Sequence, residues 1–183
     1  MEHGHKRVVV LWVVILIAVP AAATVRTWDG GGGNSYWQTT GNWDPDGYAE
    51  GDTLIVLSGS PKSVDNVVAN GYGTITLDSS AAVAYFYNNF FVGDSSSASC
   101  HLYILDGGSV SNTGGFLGRS SGASGTATVS GVGSTWTNRD RLWVGYSGTG
   151  VLNIINGGTV SANIEDNVGY DSGASGTVVV SGA

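Results

Sequence analysis

One stretch of this chain is written twice. Leu117-Gly118-Arg119-Ser120-Ser121-Gly122-Ala123-Ser124-Gly125-Thr126 returns 51 positions later as Val168-Gly169-Tyr170-Asp171-Ser172-Gly173-Ala174-Ser175-Gly176-Thr177. A second unit interleaves with it: Leu102-Tyr103-Ile104-Leu105-Asp106-Gly107-Gly108-Ser109-Val110 is echoed by Leu152-Asn153-Ile154-Ile155-Asn156-Gly157-Gly158-Thr159-Val160. A fixed period of this size marks stacked supersecondary units, none of which buries its apolar face alone. Four apolar-Gly steps, Val92-Gly93, Leu117-Gly118, Val144-Gly145 and Val168-Gly169, stand about 25 residues apart. Odd and even copies differ: one type carries the Gly-Gly-x-Val corner, the other the Ser-Gly-x-Gly-Ser-x-Trp run from Ser130 to Trp136. The repeating unit is therefore a pair of coils.

Within each unit the apolar residues alternate, as Ile75 and Leu77, Leu102 and Ile104, Ala127 and Val129, Leu152 and Ile154. That is the two-residue period of half-buried strands. The 30 glycines argue against a helical bundle, because each glycine in a helix interior costs ~1 kcal/mol relative to alanine. A coil of about 25 residues suits a right-handed parallel β-helix, an all-β solenoid with three short strands per turn and a rise of ~4.8 Å per coil. The missing leucine frame and absent helices exclude leucine-rich, ankyrin and helical repeats; a propeller is the remaining rival.

The first residues follow other rules. Lys6 and Arg7 precede an apolar run from Val8 to Val19, then Pro20-Ala21-Ala22-Ala23. A basic start, a short apolar stretch and an Ala-x-Ala site read as a secretory signal peptide over residues 1–23. The alternative is an uncleaved anchor, for which the run is short of the roughly 20 residues that span a bilayer. Residues 24–57 form a tryptophan-rich segment with Trp28, Trp37, Trp43 and the turn Asn42-Trp43-Asp44-Pro45-Asp46-Gly47, ending in the first clear strand. It is the expected N-terminal cap, since solenoid ends expose strand edges and an open core. Irregular first coils follow over residues 58–90, and regular repeats over 91–183. The last of these stops where a Gly-Ser-x-Trp run is expected next, and so reads as a fragment of a longer chain.

The signature Leu-x-Ile-x-(Asp/Asn)-Gly-Gly-x-Val, followed by Leu-Gly-x-Ser-x-Gly-Ala-Ser-Gly-Thr-x-x-Val-Ser-Gly-x-Gly-Ser-x-Trp, resembles a known repeat. It is similar to the one in autotransporter (type V secretion) passenger regions and in proteins of the PEP-CTERM sorting system. The likeness covers roughly Phe91 to Ala183; Trp37 to Thr53 also looks like the start of such passengers. The resemblance implies a secreted, surface-displayed, adhesin-like β-helical stalk of a Gram-negative bacterium. It implies as partner a host or envelope protein or a polysaccharide. Membrane attachment would come through a C-terminal translocator barrel or sorting helix, neither of which this sequence contains. It supplies no catalytic residues.

The net charge of −7 leaves no basic stripe for a nucleic acid. Parallel β-helices also host polysaccharide lyases and hydrolases, whose sites need carboxylates converging on one face. The nearest pairs, Asp44 with Asp46, Asp140 between Arg139 and Arg141, and Glu165 with Asp166, read as turn and corner residues. Cys100 and His101 are adjacent in a strand and so point to opposite faces, a poor dyad; Cys100 reads as a small core residue. No His/Cys cluster suggests a metal, and no phosphate loop or other cofactor motif is present. One binding candidate is left. Tyr85, Phe86, Tyr87, Phe90 and Phe91 alternate through one region, and outward rings there, Tyr85, Tyr87 and Phe90, would stack on sugars or anchor a protein. The competing reading has these rings joining the cap to the first regular coils.

Overall fold

The structure, a computed structural model, describes residues 23–47, 52–63, 67–68 and 72–182. The expected leader lies outside the described residues apart from Ala23; the run from Val64 to Ala69 also reads as a strand in the sequence, and its residues 64–66 and 69 lie outside the described residues too. Two strands, β1 (Val25–Trp28) and β2 (Trp43–Asp44), precede the coils. Each coil then contributes three strands. The first has β3 (Asp52–Val56), β4 (Lys62–Ser63) and β5 (Val67–Val68). The second has β6 (Tyr72–Asp78), β7 (Val83–Phe86) and β8 (Phe90–Val92). The third has β9 (Ser99–Leu105), β10 (Ser109–Asn112) and β11 (Gly115–Leu117). The fourth has β12 (Ser124–Ser130), β13 (Thr135–Asn138) and β14 (Arg141–Val144). The fifth has β15 (Thr149–Ile155), β16 (Thr159–Ala162) and β17 (Glu165–Val168), and β18 (Ser175–Ser181) begins another.

Every third strand pairs, which generates three sheets. The first runs β18-β15-β12-β9-β6-β3-β1-β2, the second β16-β13-β10-β7-β4, and the third β17-β14-β11-β8-β5. All pairings between coils are parallel, and Thr126 lies beside Val151 on one side and His101 on the other. The chain is thus an all-β solenoid of about six turns with roughly 25 residues in each. The alternation read from the sequence becomes inward columns. Leu54, Ile75, Leu102, Ala127 and Leu152 stack in one, and Val56, Leu77, Ile104, Val129 and Ile154 in the next. Fully burying one such Leu or Ile side chain contributes about 1.5–3 kcal/mol.

The corners explain the repeated glycines. Gly118 has φ +62°, and a Cβ there would lie 2.1 Å from the Thr149 carbonyl oxygen of the next coil. Only glycine fits both the left-handed backbone and the close approach. Asp106 and Asn156 also take positive φ, each followed by a positive-φ glycine. Asp and Asn tolerate that region better than other side-chain-bearing residues, which accounts for the Asp/Asn alternation in the motif.

One group of polar residues in the core satisfies its members in a chain. Trp136 is fully buried, and its indole N–H donates to Asn112 Oδ1 at 2.6 Å. Asn112 Nδ2 donates to Asn138 Oδ1 at 2.7 Å, and Asn138 Nδ2 to the Ser161 carbonyl at 3.3 Å. Room for this group comes from Gly115, where a Cβ would meet Asn138 Oδ1 at 2.3 Å. A buried amide without such partners would cost several kcal/mol, roughly 1–3 by mutational measures.

The N-terminal end of the columns is covered by the chain's own first described residues. At the N-terminal end β2 runs antiparallel along β1. Trp43 packs edge-on against Trp28 and Trp37, with centroids 5.3 and 4.8 Å apart, and its indole N–H donates to the Trp37 carbonyl at 3.0 Å. Arg26 Nε meets Asp52 Oδ2 at 2.6 Å, fastening β1 to β3.

Candidate binding face

The second sheet has one face in the core and one in solvent. Its strands are short, so each coil presents only two or three outward side chains. In β7 the inward residues are Ala84 and Phe86, and the outward ones Val83 and Tyr85. Tyr85 is 48% exposed and Tyr87, just past the strand, 54%. Phe90 is not a surface residue: it is fully buried, packed 4.9 Å from Phe86 and 6.4 Å from Trp136. Its column continues through Gly115 and Leu142, and an inward column has no contact with a ligand outside. Phe86 stands 5.3 Å from Trp37, so Phe86 and Phe90 do join the cap to the regular coils. The aromatic run divides three ways: Phe86 and Phe90 in the core, Phe91 buried in a separate cluster with Phe116 and Trp143, and two tyrosines in solvent.

Register adds residues to those tyrosines. Tyr36 bridges to Lys62, and Lys62 pairs with Tyr85. Tyr36 is itself 43% exposed, and Lys62 Nζ lies 5.2 Å from the centre of its ring. The Arg139 guanidinium sits 5.9 Å from the Tyr87 ring. Arg139 is held there by bonds from Nη2 to the Phe86 carbonyl at 3.0 Å and to Thr113 Oγ1 at 3.2 Å. Cations over aromatic faces at this range gain ~0.5–1 kcal/mol at exposed sites. Tyr36, Lys62 and Arg139 are distant in sequence from Tyr85, and only the coil register brings them together. Beyond Tyr85 the same outward column continues as Ser111, Thr137 and Ser161. The neighbouring column runs Val83, Ser109, Thr135 and Thr159.

The other candidate groups are dispersed. Asp44 and Asp46 are exposed in a turn whose Pro45 and Asp46 carbonyls accept from Arg26 Nη1 at 2.7 and 2.9 Å. Asp140 pairs with Arg141 at 3.2 Å, while Glu165 Oε1 accepts from Asn167 Nδ2 at 2.9 Å. Cys100 is buried in the core, and His101 lies on the outer face stacked on Tyr103 at 6.2 Å. Among the described residues no three His, Cys, Asp or Glu side chains stand close enough to hold a metal ion.

A longer aromatic ladder, not evident in the sequence, lies outside the third sheet. Phe91, Phe116 and Trp143 stack with centroids 4.8 and 4.4 Å apart, continuing through Tyr146 to Tyr170. The first three are only 5–8% exposed, and Arg119 covers Phe91 at 4.8 Å. This ladder is a second small core beneath the corner loops, whereas the tyrosines of the second sheet are open. In comparisons with family models, characterised proteins and solved structures, the chain matches none.

Proposed function

We propose that the chain is a non-catalytic β-helical passenger or stalk, secreted and displayed at a bacterial cell surface with an adhesin-like role. The observation that carries this reading is where the repeated residues go. The recurring glycines sit at corners where a side chain would collide with the next coil, and the recurring apolar residues fill the inward columns. What recurs is used for stacking, and outward positions are left free to vary along the axis. A solenoid built this way extends one coil at a time and presents long, flat faces. The basic-apolar-Ala leader and the likeness to autotransporter and PEP-CTERM repeats support export and display.

The test is to express the whole reading frame in a Gram-negative host and probe intact cells with antibody and external protease. Labelling and cleavage on unbroken cells are expected. Protein that stays inside, protected until lysis, would overturn the reading. A second reading, a carbohydrate-binding β-helix, is favoured by one observation: three exposed tyrosines on a single sheet face, Tyr36, Tyr85 and Tyr87.

A further inference from the structure

We infer that the outer face of the second sheet binds a linear, negatively charged polysaccharide lying along the solenoid axis. The inference rests on reading this face as a binding surface and not on where the chain is displayed. Charge is the first argument. Of the seven Lys and Arg residues, five follow residue 24: Arg26, Lys62, Arg119, Arg139 and Arg141. Arg26 is paired with Asp52, Arg119 with Asp94 at 2.8 Å, and Arg141 with Asp140. Among the described residues Lys62 and Arg139 have no carboxylate partner, and both stand against exposed tyrosine rings of this one face. In a chain of net charge −7, these two cations, uncompensated among the described residues, gather where the open aromatic rings are. That combination suits a ligand with apolar faces and regularly placed anionic groups.

Shape is the second argument. Tyr36, Lys62, Tyr85, Ser111, Thr137 and Ser161 occupy successive rungs of one column. Rungs are ~4.8 Å apart, so the column runs for about 24 Å parallel to the axis. The rings and Lys62 occupy one end and hydroxyls the other, and Arg139 of the fourth coil reaches over Tyr87. The C–H faces of a sugar ring stack on tyrosine, ammonium and guanidinium groups meet carboxylate or sulfate substituents, and Ser and Thr hydroxyls both donate and accept. A compact ligand would need converging walls, which a flat sheet lacks; a straight polymer matches a straight column.

The test measures binding of the intact chain to polygalacturonate by calorimetry, with the fully methyl-esterified polymer and poly-glutamate as comparison ligands. Binding to the acidic polysaccharide is expected, weakened by salt and much weaker for the ester. Tyr85→Ala and Tyr87→Ala should each lower affinity roughly three- to tenfold, as should Lys62→Gln and Arg139→Gln. Tyr170→Ala, an exposed tyrosine at a corner of the ladder outside the third sheet, should change nothing. Circular dichroism and melting of each variant establish that the outward substitutions leave the fold intact. Equal affinity for acid and ester would overturn the charge argument. Poly-glutamate binding as tightly as the polysaccharide would overturn the sugar in favour of an acidic protein segment. Unchanged binding by Tyr85→Ala and Lys62→Gln, or no binding to polygalacturonate at all, would overturn the inference as a whole.

Discussion

The N-terminal end of the stack and its regular middle bury the same inward columns by different means. At the first, three tryptophans and an antiparallel strand lie over the columns. In the middle, each column residue is covered by its equivalents in the coils on either side. A residue in a solenoid owes its burial to what lies above and below, not to its own strand. Stability is then a sum of neighbour terms, and an inward substitution should cost far more than an outward one in the same strand.

Val129 is buried in an inward column, and its neighbour Thr128 points outward. Aspartate at Val129 places a lone charge in a dry interior and should cost ~4 kcal/mol or more, enough to abolish cooperative unfolding in a thermal melt. Thr128→Asp should stay within about 0.5 kcal/mol of the parent. Equal melting temperatures for the two would show that the column does not exist. Next in size is the capped end. Trp43→Ala opens a cavity beneath β2 and should lose about 3–5 kcal/mol by chemical denaturation. Val25→Ala, exposed in β1 of the same segment, should lose less than about 1 kcal/mol; matching losses would mean that the tryptophans do not cover the columns. Smaller again is Gly118→Ala, which forces a side chain into both a positive φ and the Thr149 carbonyl. A loss of about 2–3 kcal/mol is expected, against a smaller one for Gly173→Ala. Gly173 shares the positive φ, but a Cβ there meets nothing within 4 Å, so its cost should be the backbone part alone, near 1 kcal/mol.

The coil period, the strand alternation and the corner glycines were legible because they are local and repeated. Leu102 and Ile104 point inward for the same reason as Leu152 and Ile154. Phe90 was not legible. In β8 all three residues are buried, Phe90 and Val92 inside and Phe91 under the outer aromatic ladder, so alternation alone does not say which face is the core. The Tyr36–Lys62–Tyr85 column was hidden because the first coils are irregular: Lys62 pairs with Tyr85 at a spacing shorter than the regular coil. The Trp136–Asn112–Asn138 chain was hidden for a different reason. Asparagine at a strand end reads as a turn residue, and only Gly115 in the facing strand makes room for it inside.

The central claim is that successive coils lie in parallel, in-register contact. Cross-strand nuclear Overhauser contacts of Thr128 in the labelled chain test it most directly. The structure requires contacts from Thr128 to Tyr103 on one side and to Asn153 on the other. Contacts instead between Thr128 and the following strand, Thr135–Asn138, in the antiparallel pattern of a hairpin, would mean a meander and no solenoid.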